Sequence, residues 1–198
     1  MFLTLKEPKQ QSAILIDGNE SRREMFQLML GSRNISLETC YTSIDSAIAD
    51  QAEPELAIVY FERMDRSELV DLSRLRSCKT CAVLALIEEA DATDIETLLE
   101  TGADHVLPLG LQSDRFNIAA VSALAQARKH RQMELDKTRA EEALNDAKRV
   151  ARAKMILIAR HGIDEVEAHR RVQQLSMERN LPLAEMAGQI IEAESLLC

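Results

Sequence analysis

Pro54-Glu-Leu-Ala-Ile-Val-Tyr-Phe61 and Ala82-Val-Leu-Ala-Leu-Ile87 decide the fold. Neither run alternates apolar with polar residues. A strand of this kind is apolar on both sides, as in a parallel sheet covered by helices on both faces. Working outward, Ala13-Ile-Leu-Ile-Asp17 is a shorter apolar run, Ile35 to Cys40 alternates, and His105-Val-Leu-Pro108 reads as a last short strand. Helical patterns lie between them. Asn19 or Ser21 is placed to cap a helix carrying Met25, Phe26, Leu28 and Met29, stopped by Gly31. Further helices are expected over Ile44 to Ala49, over Ser67 to Leu75, and over Thr93 to Glu100, the last ended by Gly102. Five β units alternating with helices predict an α/β fold, a doubly wound parallel five-stranded sheet. Residues 1–12 are polar and expected to be loose.

Beyond Gly110 the pattern changes. No Gly or Pro occurs from Leu111 to His161, and helix formers dominate. One long helix is expected. A heptad runs through Met133, Ala140, Ala143, Ala147 and Val150, with Asp136 breaking an alanine-rich seam. Such a helix either pairs with a second copy as a coiled coil or packs back on its own domain. Gly162 ends it, and Asp164 with Glu167 has the capping-box spacing for the next helix, which runs to Arg179. Asn180-Leu-Pro182 is a break before a final helix from Leu183 to Leu197. The tail is thus a small three-helix bundle, with Met155, Leu157, Leu175, Met177 and Met186 expected in its core. The predicted domains are 1–122, a linker helix over 123–147, and 148–198.

Apolar residues make up 46% and charged residues 29% of 198, ordinary for a globular chain. Aromatics, at 3% with no Trp, are too few for a base-stacking platform. The net charge of −9 repels phosphate at long range. Its distribution is uneven, however. Between Lys148 and Arg179 eight cations face four acids, a local balance of +4. No apolar run reaches transmembrane length, and the N-terminus has no signal-peptide core, so a cytoplasmic location is expected. Cys78-Lys-Thr-Cys81 lacks the second pair of a zinc ribbon and follows a helical run rather than opening one. Ordinary thiols and a redox or metal role both stay open.

The alternation of strands and helices with Asp17 after the first strand resembles a CheY-like response-regulator receiver domain. Ligands of such a fold gather at the carboxyl ends of the strands. Phosphoryl transfer there requires an acceptor carboxylate, acids holding a divalent cation, and a Lys and a hydroxyl for the product. This chain departs at each point. Asp17-Gly18 offers one acid, the acceptor position aligns with Tyr60, the hydroxyl position with Ile87, and the Lys position with Leu109. Shifting the third strand by one places Phe61 there, and Glu62 and Asp65 lie beyond the strand end. The domain therefore resembles a pseudo-receiver with no phospho-acceptor. Asp17 is either a remnant acid at a helix start or a weak cation ligand.

The tail carries the second resemblance. Its marks are Ala153-Lys154, Arg160-His161-Gly162, Glu167-Ala168-His169, Leu175, Met177, Arg179, Leu183 and Ala187. This ordered set resembles the ANTAR domain, named for the AmiR and NasR transcription antitermination regulators. The resemblance covers about 50 residues. Family members often have an aromatic where His169 stands and Ala where Ser176 stands. The resemblance implies binding of nascent leader RNA with paired hairpins, through Ala153, Lys154, Arg160, His169, Arg171, Met177 and Arg179. Lys154 and Arg160 are expected on nearby faces of one helix, to meet phosphate, with His169 and Arg171 near a base. His169 alone reads equally as a core-edge residue. The resemblance further implies a homodimer through the coiled coil and a sensor or ligand-binding protein on the pseudo-receiver.

Two other classes compete. A three-helix tail can form a DNA-binding helix-turn-helix, but the last helix carries Glu185, Glu192 and Glu194, poor equipment for the major groove. A protein-interaction adaptor with a coiled-coil stalk is the other. No nucleophile–base pair, glycine-rich phosphate loop or metal set is present, so no catalytic residue, cofactor or metal is expected.

Overall fold

A computed structural model describes residues 11–30, 35–108 and 113–195. The elements in order are β1 (Gln11–Ile16), α1 (Glu20–Leu30), β2 (Ile35–Tyr41), α2 (Ile44–Ala49), β3 (Leu56–Phe61) and α3 (Arg66–Cys78). Then come β4 (Ala82–Ile87), α4 (Ala92–Thr101), β5 (His105–Pro108), α5 (Ser113–His161), α6 (Glu165–Arg179) and α7 (Leu183–Ser195). Two compact units divide the chain, Met1–Arg131 and Gln132–Cys198.

In the first unit all strand pairings are parallel, in the order β2-β1-β3-β4-β5. Successive side chains of a strand point to opposite faces, and β3 and β4 are buried at every position. Leu56, Ile58 and Tyr60 meet Phe26 of α1 and Phe116, Ala120 and Leu124 of α5 on one face. Ala57, Val59 and Phe61 meet Ile44 of α2, Leu72 and Leu75 of α3, and Leu98 of α4 on the other. The doubly wound parallel sheet expected from the two apolar runs is therefore present. The strand order reverses between β1 and β3, which places a crevice over the ends of these strands, where Asp17 and Glu62 follow.

The element ends refine the sequence reading. Gln11 and Ser12 are not loose: they open β1 opposite Ile35 and Ser36. The third helix is longer than expected at both ends: Asp65 and Glu68 form a complete capping box that starts it at Arg66, and it runs on to Cys78, with the Lys79 amide donating to the Leu75 carbonyl. Asn19 caps α1 by accepting from the Arg22 amide at 3.2 Å. Gly102 ends α4 at φ 131, and a Cβ there would lie 2.9 Å from the Arg76 side chain. Gly31, Leu109 and the last residues of the chain lie outside the described residues.

The second unit is three helical segments around a small core. Ala153, Ala168, Val172 and Ala187 are fully buried, and Leu157 nearly so. Three alanines at the centre let the helix axes approach closely, where larger side chains would hold them apart. Gly162, at φ 62, terminates α5. Asp164 caps α6 by accepting from the Glu167 amide at 2.8 Å. The return half of the expected capping box is replaced: the Glu167 carboxylate accepts from Arg170 instead, at 3.2 Å. Asn180 closes α6 in the left-handed region, where the Ser176 hydroxyl donates to the Leu181 carbonyl at 2.6 Å.

Two core expectations are corrected. Leu157 and Met186 are buried and Leu175 half-buried, but Met155 is 63% and Met177 76% exposed. Helical spacing marks which residues share a stripe, and three short helices are too few to cover every stripe.

Candidate nucleic-acid interface

The crevice over β1 and β3 is held by an internal cation. Asp17 is completely buried at its side chain, and Arg22 grips it with two bonds, Nε to Oδ2 at 2.9 Å and Nη2 to Oδ1 at 3.0 Å. The Asn19 amide adds a third bond at 2.8 Å. Arg22 Nη2 also reaches Glu62 Oε1 at 3.3 Å, and the guanidinium stacks 3.7 Å from the Tyr60 ring centroid. The bond to Asp17 raises the Arg22 pKa, so the cation is permanent. Burial, then the Glu88 carboxylate, pushes the Tyr60 phenol up to about 12, keeping it neutral. Asp17 is thus engaged by an internal cation at the start of α1, and its oxygens are not free for an external one. Arg22 was not singled out in the sequence, although its place one turn into α1 brings its side chain back over Asp17. Ile87, where a hydroxyl was sought, is fully buried.

The cysteine pair is split by its surroundings. Cys78 ends α3 exposed, whereas Cys81 is buried and its thiol is pushed up by that burial. A thiol so shifted holds little thiolate and is unreactive. Among the described residues no three His, Cys, Asp or Glu side chains are placed to hold a metal.

In the helical unit the expected contact residues fall into three groups. Ala153 is fully buried between helices, so its side chain cannot touch a ligand, and it acts by setting helix spacing. Lys154 and Arg160 do not share a face. Lys154 reaches Glu165 at the start of α6, at 2.7 Å, while Arg160 reaches Glu194 of α7, at 2.6 Å. The physical reason is their six-residue spacing, which on a helix of 3.6 residues per turn leaves them about 120° apart. Lys154 pulls the Glu165 carboxyl below its usual range. His169 is half-buried and lines a shallow depression with Val150, Lys154 and Leu183. Arg171 and Met177 are exposed on α6. Arg179 donates from Nη1 to Gln189 Oε1 of α7, at 2.9 Å. These residues therefore spread over two helices rather than converging on one point.

A groove missed by the sequence reading lies between α5 and α7. Lys148, Arg149 and Arg152 line one wall, and Gly188 and Gln189 the other. Its only signal in the sequence was the local excess of positive charge.

Residues 138–191 match the ANTAR domain family model. The chain is 25% identical over 134 residues to the aliphatic amidase regulator of Pseudomonas aeruginosa, covering 68% of each protein. Among solved structures, the signal receiver domain of NarL from Mycobacterium tuberculosis is 14% identical. It spans 60% of this chain and 98% of its own, with a TM-score of 0.52. A two-component response regulator from Clostridium difficile, 20% identical, spans 59% and 97% with a TM-score of 0.50. The response regulator StyR, 16% identical, spans 92% and 98% with a TM-score of 0.55. At these identities the likenesses establish the fold of the first unit, a response-regulator receiver fold.

Proposed function

We propose that this chain, which joins a receiver-like domain to an ANTAR domain, is a transcription antitermination regulator that binds leader RNA hairpins. It has no catalysis of its own. The observation that carries the reading is a coincidence of position. The ANTAR match over 138–191 falls on the helical unit that also holds the chain's locally cationic stretch, in a protein of net charge −9. RNA loops are read by phosphate contacts together with splayed bases. Lys154, Arg160, Arg171 and Arg179 supply cations, His169 and Met177 offer surfaces for a base, and Ala153 sets the helix spacing. The Pseudomonas relative is named as a regulator, which agrees with this assignment.

Control comes through protein contacts on the first domain rather than phosphorylation. Tyr60 stands where an acceptor carboxylate is needed, and Arg22 already neutralises Asp17. A sensor or ligand-binding protein is the partner this requires. The protein works in the cytoplasm as a homodimer, with 123–147 as a coiled-coil linker and 148–198 as the RNA-binding part. Among the described residues no helix is long and apolar enough to cross a membrane.

The test is binding of the full chain to a paired-hairpin RNA beside duplex DNA of equal length, across a salt series. RNA-selective binding is expected, weakened about tenfold to a hundredfold by Lys154→Ala or Arg179→Ala, the loss of roughly 1.5–3 kcal/mol for a charged hydrogen bond. Equal binding to both nucleic acids, or to neither, leaves a structural adaptor as the better account.

A further inference from the structure

Helix α7 contains a glycine that the fold does not require. Gly188 lies within the helix, at no positive φ, and a Cβ built on it meets nothing within 4 Å. A glycine inside a helix is unfavourable relative to alanine, so its usual justifications are a strained backbone or a close approach. Here neither the backbone nor a packed neighbour supplies one. The open space above Gly188 is the groove between α5 and α7, with a volume of 760 Å³, in the range of small-ligand sites.

The two walls differ in chemistry. On α5, Lys148 and Arg152 stand one turn apart on the same face, and neither has an ion pair among the described residues. Arg149 beside them lies 3.8 Å from Asp146. On α7 the polar lining side chains are Gln189, Glu185 and Glu192, beside the apolar Ala184 and Ile191. Arg179 orients Gln189. A guanidinium can only donate, so Gln189 must offer its carbonyl oxygen there, which leaves its amide NH2 to donate elsewhere. Cations on one wall and amide and carboxylate groups on the other match a nucleotide lying across the groove. Its phosphate would meet Lys148 and Arg152. Its base edge would meet Gln189 and the carboxylates, which accept from exocyclic amino groups. An acidic peptide offers the carboxylates nothing. In an A-form stem the paired bases keep their major-groove edges at the bottom of a deep, narrow groove that these side chains do not reach, whereas an unpaired base can be splayed out to meet this wall.

We infer that the α5–α7 groove binds an unpaired nucleotide of the RNA, with Gly188 leaving room for it and Arg179 acting as a positioning residue through Gln189. This rests on the RNA-binding reading above and adds to it residues that the family resemblance did not mark.

The experiment uses the full chain and a synthetic RNA of two short stem-loops, with fluorescence anisotropy across a salt series. Gly188→Leu fills the groove while favouring the helix. It is expected to keep or raise the Tm and to raise Kd at least tenfold. The double variant Lys148→Gln/Arg152→Gln removes two phosphate contacts and should flatten the slope of log K against log salt by roughly 1.4. A control RNA with its loops replaced by continuous duplex should bind both variants like the wild type. If the wild type binds the stem-loops and both variants keep its Kd and salt slope, the groove assignment is overturned and the antitermination reading stands. If Gly188→Leu unfolds, the double variant decides alone. If the wild type binds no RNA, both fall together.

Discussion

Asp17 and Arg22 behave as one unit, because a carboxylate with no exposed surface is tolerable only while its counter-ion stays in place. Arg22→Met is expected to lower stability by roughly 3 kcal/mol, the range for stripping one partner from a buried pair. Replacing both, as in Asp17→Leu/Arg22→Met, should recover much of that loss. Urea denaturation of the two variants checks it, and a neutral Arg22→Met would show the pair to be idle. Ala153 presents the opposite case, a residue whose importance is its smallness. Ala153→Leu should cost about 1–3 kcal/mol by overpacking and weaken RNA binding only as far as the bundle is distorted. Asp17 was legible in the sequence as an acid after a strand. Arg22 was not, because its partner is chosen by where the first turn of α1 points.

Helix α6 shows how local signals and tertiary contacts share the work. Its start was legible from Asp164, and Asp164→Ala should cost about 1 kcal/mol, measurable as a lower Tm. The tie from its first turn to α5 was not legible. Lys154 depresses the folded pKa of Glu165. A carboxylate lowered on folding contributes stability above its unfolded pKa, and that contribution is lost as pH falls through the lower folded value. An acid titration of Lys154→Gln followed by circular dichroism should therefore converge with the wild type at low pH and separate above the carboxylate range. Equal curves throughout would leave the pair without effect, as exposed ion pairs often are. Met155 and Met177 mark the limit of periodicity: it places both on stripes but does not say whether anything covers them.

For the whole molecule, the unsolved partner is the one for α5. Residues 128–149 are exposed at every position, including Met133 at 57% and Leu144 at 55%. A helical stretch that makes so little use of its own chain gains stability from another helix. Sedimentation of the full chain should give a dimer, and Met133→Glu/Ala140→Glu/Ala147→Glu a monomer; a wild type that sediments as a monomer at micromolar concentration removes the coiled coil. Input to the first domain is tested separately. A small phosphodonor should leave RNA affinity unchanged to within about twofold, since no carboxylate stands at the acceptor position. A larger shift would return phosphorylation to the mechanism.

Apolar runs and helix punctuation were enough for the sequence to determine the doubly wound sheet, the long fifth helix and the three-helix tail. Those signals act over a few residues, and burial on both faces calls for a parallel sheet covered by helices on both sides; the strand order was left to the tertiary structure. The ordered motif of the tail was legible for the same reason: its spacing is a property of the chain. Which cations stay free was decided only in three dimensions. Lys154 and Arg160 are engaged by acids on different helices, Arg179 is turned toward Gln189, and Lys148 and Arg152 face an open groove beside a glycine. An ion pair or a groove depends on two helices meeting at one angle, and neighbours brought together by that crossing leave no mark in the order of residues.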